Sequence, residues 1–186
     1  MTELGPWFLR EYYLTVLNYT PSIFLVAEAH AERLGGFVAG FLHPDRFYQQ
    51  LKARQKVLAI SAGRYLLFRP GCWRAVLASV RRVHRLADDS SGAVQTAELA
   101  SIGVCPQFQG QGIGKALVLA FIEQARRLEA HRVTLATDAE KNDSVNLFYQ
   151  RLGFQLQCQY RHTPTRLMNL YEYTIEHQRP EVVQEP

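Results

Sequence analysis

The sequence predicts a mixed α/β domain, and three observations carry that expectation. A strand-like apolar run ends at Val104 and passes through the glycine-rich string QGQGIG, Gln109 to Gly114, into a long helix-like run. The second half of the chain then alternates strand, helix, strand, helix, strand. At 186 residues, with 47% hydrophobic and 20% charged content, the chain can bury one real core as a globular protein. One domain is expected over residues 1–176, with 177–186 as a frayed tail.

Taken in order, Phe8 to Leu17 reads as a helix with Tyr12, Tyr13, Val16 and Leu17 near one side, ending at the turn-forming Asn18 to Ser22. Ile23 to Ala27 and Gly36 to Leu42, separated by polar EAHAERL, read as a β-hairpin, although Gly35, Gly36 and Gly40 weaken its second strand. A basic segment at about 43–92 follows as a mostly helical insertion, broken at Arg69-Pro70-Gly71. In its second half Val76, Leu77, Val80, Val83 and Ala87 oppose Arg81, Arg82 and Arg85, and a loop, Asp88 to Gly92, closes it.

Strict alternation along Ala97 to Val104 puts Glu98, Ala100, Ile102 and Val104 on one face and Leu99, Ser101 and Gly103 on the other. The helix from Ile113 to about Leu128 is apolar almost all round as far as Ile122, so its first half is expected to be buried. A strand at Arg132 to Thr137, a helix at Ser144 to Leu152 stopped by Gly153, and strands near Phe154 to Tyr160 and Leu167 to Ile175 complete the series.

Charge is localised. Ten Lys or Arg and no Asp or Glu lie between Arg46 and Arg85, leaving 11 basic and 17 acidic residues in the rest of a chain whose net charge is +4. Such a stretch could be a solvated helix face, could lie on anionic lipid or a nucleic-acid backbone, or could bind a phosphate-bearing small molecule through bidentate arginine. The longest apolar run, Ala116 to Ile122, is too short to cross a bilayer, and the first residues lack a signal-peptide pattern, so a cytoplasmic location is expected. Cys72, Cys105 and Cys158 have no zinc-ligand spacing; they are read as reduced thiols, and no metal is expected.

The string QGQGIG admits three phosphate-loop readings. A P-loop needs glycine at Gln109 and Ser or Thr at Ala116, and a dinucleotide fingerprint needs glycine at Lys115; both fail. The remaining pattern, Gln-x-x-Gly-x-Gly, resembles the pyrophosphate loop of the GCN5-related N-acetyltransferases, the GNAT superfamily. Downstream, Asn142, Ser144, Phe148, Tyr149, Gly153 and Phe154 in NDSVNLFYQRLGF are similar to that family's block near the coenzyme thiol. Upstream, Glu98 stands eleven residues before Gln109, a spacing like that of the strand glutamate which serves as general base in histone-acetylating members. The match is close over Thr96 to Phe154 and loose over Ile23 to Leu42. The string LGPWFLREYYLTVL and the insertion also resemble members associated with amino-sugar and polysaccharide biosynthesis.

The resemblance implies a central, mostly antiparallel sheet whose fourth and fifth strands splay at the cofactor, here without the family's usual first strand. It implies acetyl-CoA as cosubstrate, with Ile102, Gly103 and Val104 pairing the pantetheine arm. The N–H groups of Gln111, Gly112, Ile113, Gly114 and Lys115 would hold the phosphates, with Gln109 opening the loop and Gly110, Gly112 and Gly114 letting the backbone approach closely. Lys115 is equally compatible with a solvated lysine, and the glycines with an ordinary strand-to-helix turn. Glu98 would be the general base or a strand-edge carboxylate paired with arginine. Tyr149 would be the acid toward the leaving thiolate or a packed aromatic, and Asn142 a helix cap that also reaches the pantetheine. Tyr12, Tyr13, Tyr48 and Trp73 would line an acceptor pocket or belong to the core.

The activity implied is direct acetyl transfer to a primary amine of a small molecule, an amino sugar or nucleotide-linked amino sugar. The alternatives are a protein or ribosome acetyltransferase docking through the basic insertion, and a non-catalytic acyl-CoA sensor.

Overall fold

The computed structural model describes residues 5–29, 33–53 and 94–176. The expected helix across Val76 to Ala87, the break at Arg69 to Gly71, the loop from Asp88 to Gly92, Cys72, Trp73 and the tail lie outside the described residues.

Six strands form one sheet: β1 (Ser22–Ala29), β2 (Arg33–Leu42), β3 (Thr96–Val104), β4 (Arg132–Asp138), β5 (Gln155–Thr163) and β6 (Arg166–Thr174), in the order β1-β2-β3-β4-β6-β5. Every neighbouring pair is antiparallel except β3 and β4, which run parallel. Helices α1 (Gly5–Leu17) and α2 (Pro44–Ala53) cover one face of the first half of the sheet, and α3 (Ile113–Arg127) packs the other. Helix α4 (Asp143–Arg151) joins the α3 side. Among the described residues, no helix is long and apolar enough to cross a membrane.

Each helix turns a stripe inward. In α1 Tyr12 and Val16, one turn apart, are buried, whereas Leu17 is 49% exposed and does not join that face as the sequence suggests. Helix α2 begins with Pro44 and places Phe47 in the core, its ring stacked 3.7 Å from that of Phe41. In α3 Leu117, Val118, Phe121, Ile122 and Ala125 are buried, but Leu119 is 45% exposed. The expected all-round burial of its first half therefore gives way to an ordinary amphipathic stripe, because only one side of this helix meets the sheet.

Gly40 explains why β2 tolerates glycine. A methyl there would overlap the Glu98 carbonyl oxygen and sit 2.6 Å from Phe121, so the missing side chain lets α3 approach the sheet.

The alternation expected along β3 breaks at a β-bulge. Ala39 pairs with Ser101 and Gly40 with Leu99, leaving Ala100 as the extra residue. Beyond it the faces exchange. Ile102 and Val104 pack with Ala97 and Leu99 on the α3 side, while Ser101 and Gly103 join Glu98 and Ala100 on the α1 and α2 side.

Candidate active site

The sheet forks at Glu98. Strands β3 and β4 pair only at Thr96 with Arg132, Ala97 with Val133, and Glu98 with Thr134. Past that rung β3 stays paired to β2 as far as Val104, and β4 to β6 as far as Asp138, so two inner strand edges diverge with no rung between them. Such an edge offers a row of backbone donors and acceptors to an extended ligand. Ile102, Gly103 and Val104 lie on it.

At the mouth of the fork the chain makes a short 3-10 turn, Pro106–Phe108, and then the glycine loop. Gly110 and Gly112 have φ of 77° and 84°, the left-handed region that strains other residues, and a Cβ at either would meet no atom within 4 Å. Conformation, not crowding, selects glycine there, and the loop faces open space. Gly112 is the N-cap of α3; no side chain caps the helix and no acid lies in its first turn. The first-turn N–H groups, including those of Gly114 and Lys115, are thus left for an anion. Gln109 and Gln111 turn their side-chain amides back onto Val104 and Gln107, leaving the loop backbone outermost, and Lys115 is exposed. Acetyl-CoA carries the phosphates and the extended arm that such a helix end and strand edge suit. Among the described residues, no three His, Cys, Asp or Glu cluster as a metal site.

Glu98 is partly buried, and its Oε1 accepts a hydrogen bond of 2.6 Å from the Tyr48 hydroxyl of α2. Burial pushes its carboxyl up to about 7, and the Tyr48 bond pulls partly against that. Ala100 shares the face of Glu98 as strict alternation expects, but the bulge sends Ile102 to the opposite one. Tyr48 bonds the carboxyl, and Tyr12 and Tyr160 lie within reach of its charge; all three phenols are held above their usual range by burial first and by the Glu98 charge second. Nearby, the Tyr13 hydroxyl and Ser101 Oγ lie 2.7 Å apart in a hydrogen bond. Glu98 thus bonds a tyrosine rather than an arginine. Tyr160 is a neighbour that sequence reasoning missed, because nothing in a strand sequence indicates which face a distant edge strand turns toward a carboxylate.

Tyr149 sits on α4 in the opposite layer. Its ring packs against Phe148, Phe154 and Tyr171, and burial pushes its hydroxyl up to about 12. Among the described residues that hydroxyl has no hydrogen-bond partner. Glu98 and Tyr149 therefore lie on opposite faces of the sheet. Asn142 occupies the N-cap position of α4 but makes no side-chain capping bond, contrary to the sequence expectation. Its Nδ2 donates instead to Thr137 Oγ1 and the Asp138 carbonyl at the tip of β4, a tie that sequence spacing cannot reveal. Asn146 donates to the same Asp138 carbonyl and accepts from Asn169 and Tyr171, pinning the outer arm of the fork.

Residues 2–154 match the model of the acetyltransferase (GNAT) family. Over 57 residues, 31% of this chain, the sequence is 49% identical to a mycothiol acetyltransferase of Pseudarthrobacter chlorophenolicus, and over 64 residues, 34% of this chain, 38% identical to an uncharacterized N-acetyltransferase, YvbK, of Bacillus subtilis. These alignments take in 17% and 41% of the two relatives' own lengths. In fold the chain is similar to a polyamine N-acetyltransferase of Drosophila melanogaster that forms N-acetylagmatine, with a TM-score of 0.61 at 19% identity over 89% of this chain and 80% of that one.

Proposed function

The chain belongs to the acetyltransferase (GNAT) family, and from that premise we propose that it moves an acetyl group from acetyl-CoA directly to the primary amine of a small molecule, an amino sugar or nucleotide-linked amino sugar, without an acetyl-enzyme. The same reading takes residues 1–176 as one catalytic domain. The observation that supports it most is Glu98 at the last rung of the fork, its carboxyl titrating near neutrality.

In this mechanism the N–H groups from Gln111 to Lys115 hold the phosphates, and the inner edge of β3 at Ile102, Gly103 and Val104 orients the arm and polarises the carbonyl. Acetyl-CoA supplies the thioester carbon as electrophile. Glu98 takes the ammonium proton, directly or through water, from an amine whose pKa of about 8 to 10 leaves it largely protonated at pH 7. A base titrating near the working pH combines a large ionised fraction with useful basicity. Tyr149, with its hydroxyl up near 12, is a weaker acid than a thiol of pKa about 8.5. It therefore offers a hydrogen bond to the departing sulfur and keeps its proton, which makes it the smaller contributor.

The acceptor class rests on the resemblance of the N-terminal string and on the basic segment from Arg46 to Arg85, whose guanidinium groups suit a diphosphate. Thiol release from acetyl-CoA, measured against amino sugars, nucleotide-linked amino sugars, polyamines, aminoglycosides and lysine peptides, tests the proposal. Turnover on one sugar class, reduced about 10²- to 10⁴-fold in Glu98→Gln and less in Tyr149→Phe, is the expected result. Coenzyme binding without turnover on any amine would overturn it in favour of a sensor, and salt-sensitive turnover on peptides alone would move the acceptor to a protein.

A further inference from the structure

Tyr48 is carried by α2, fifty residues before Glu98 in the chain, yet its hydroxyl reaches the carboxyl at 2.6 Å. Its ring is already placed without that hydroxyl, meeting Phe41 and Phe47 edge-on at 5.7 and 5.3 Å. The oxygen contributes the contact with Glu98, and packing fixes where that oxygen stands.

Among the described residues, three tyrosines lie within reach of the Glu98 charge. Tyr12 comes from α1, Tyr48 from α2 and Tyr160 from β5, while Thr134 is the rung partner on β4. All three tyrosines stay neutral at working pH. Among the described residues, Tyr48 is the group that favours the ionised form of Glu98, against the burial that disfavours it. A phenol hydroxyl can donate to a carboxylate in a short, charge-assisted bond that favours the ionised form and fixes which oxygen remains free.

We propose that Tyr48 is a positioning residue for the general base: it donates to Glu98 Oε1, keeps the carboxylate ionised and leaves Oε2 free to accept the proton of the incoming amine or of a bridging water. This rests on the reading of Glu98 as base. No bond is made or broken at Tyr48, which retains its proton throughout.

The test is Tyr48→Phe, which removes one oxygen and keeps the ring. Two measurements are made on the full chain. The first is the pH profile of kcat/KM, whose acidic limb should move up by about one to two pH units, so that turnover drops several-fold or more at pH 7 and recovers toward wild type above pH 9. The second is the carbon-13 NMR titration of the Glu98 carboxyl, assigned with Glu98→Gln, which reads the same ionisation without catalysis. Both moving upward together is the expected outcome. An unmoved NMR titration would overturn the role of Tyr48, whatever the rate. An NMR shift with an unmoved acidic limb would uphold the Tyr48 contact and overturn Glu98 as the base. A uniform loss of rate at all pH values with unchanged titration would mark Tyr48 as structural and overturn the proposal.

Discussion

A carboxyl whose pKa rises from 4.5 to about 7 on folding carries a stability cost as well as a catalytic use. The protonated form is the one the fold prefers, so the chain is most stable below about pH 4.5 with respect to this group, loses stability as pH rises through 7, and levels off above. The cost at alkaline pH is on the order of 3 kcal/mol. Glu98→Gln should therefore unfold at higher urea concentration than wild type at pH 8.5, with the gap closing near pH 4.5, even as turnover collapses. Equal urea midpoints at both pH values would show that the carboxylate is not desolvated. Glu98 itself was legible from its spacing to Gln109. Its tyrosine shell was not, because Tyr12, Tyr48 and Tyr160 come from three elements far apart in sequence and meet only through the tertiary fold.

At the scale of elements, local chemistry was enough to find α3, α4 and the strands that flank them, although only one side of α3 is buried, and Gly153, at φ 92°, stops α4. The bulge at Ala100 was invisible because an extra residue in one strand is defined only by its partner β2. Two glycines predict different outcomes. Gly112→Ala forces a side chain to φ 84° on the exposed loop; it should cost about 1–2 kcal/mol and raise the KM for acetyl-CoA, as read by thermal melting and steady-state kinetics. Gly40→Ala drives a methyl against Phe121 and the Glu98 carbonyl. A loss of about 3 kcal/mol or more in urea unfolding is expected, with inactivation following because the rung bearing Glu98 is displaced.

At the scale of the whole molecule, the fork needs both arms held apart. Its inner arm is braced by β2. The outer arm is braced by Asn142 and Asn146 gripping the end of β4, with Asn169, Tyr171 and Gln159 completing a polar chain across β6 to β5. Asn146→Ala should cost about 2–4 kcal/mol in urea unfolding by stripping partners from Asn169 and Tyr171, and should loosen the coenzyme site, seen as weaker acetyl-CoA binding by calorimetry. Composition and motif order made the α/β architecture readable, but the strand order and the polar brace depend on contacts between distant segments.

Helix α2 changes how the basic insertion should be regarded. By sequence the stretch at 43–92 looks like detachable cargo on a common scaffold, the sort of loop a protein engineer would excise or exchange between relatives. Its first turns, however, supply Phe47 to the core and Tyr48 to Glu98. A graft or deletion made at residue 43 would remove Phe47 and the Tyr48 partner of Glu98, whereas one made after Ala53 would retain both residues. The scaffold thus extends at least ten residues further along the chain than hydropathy and charge suggest.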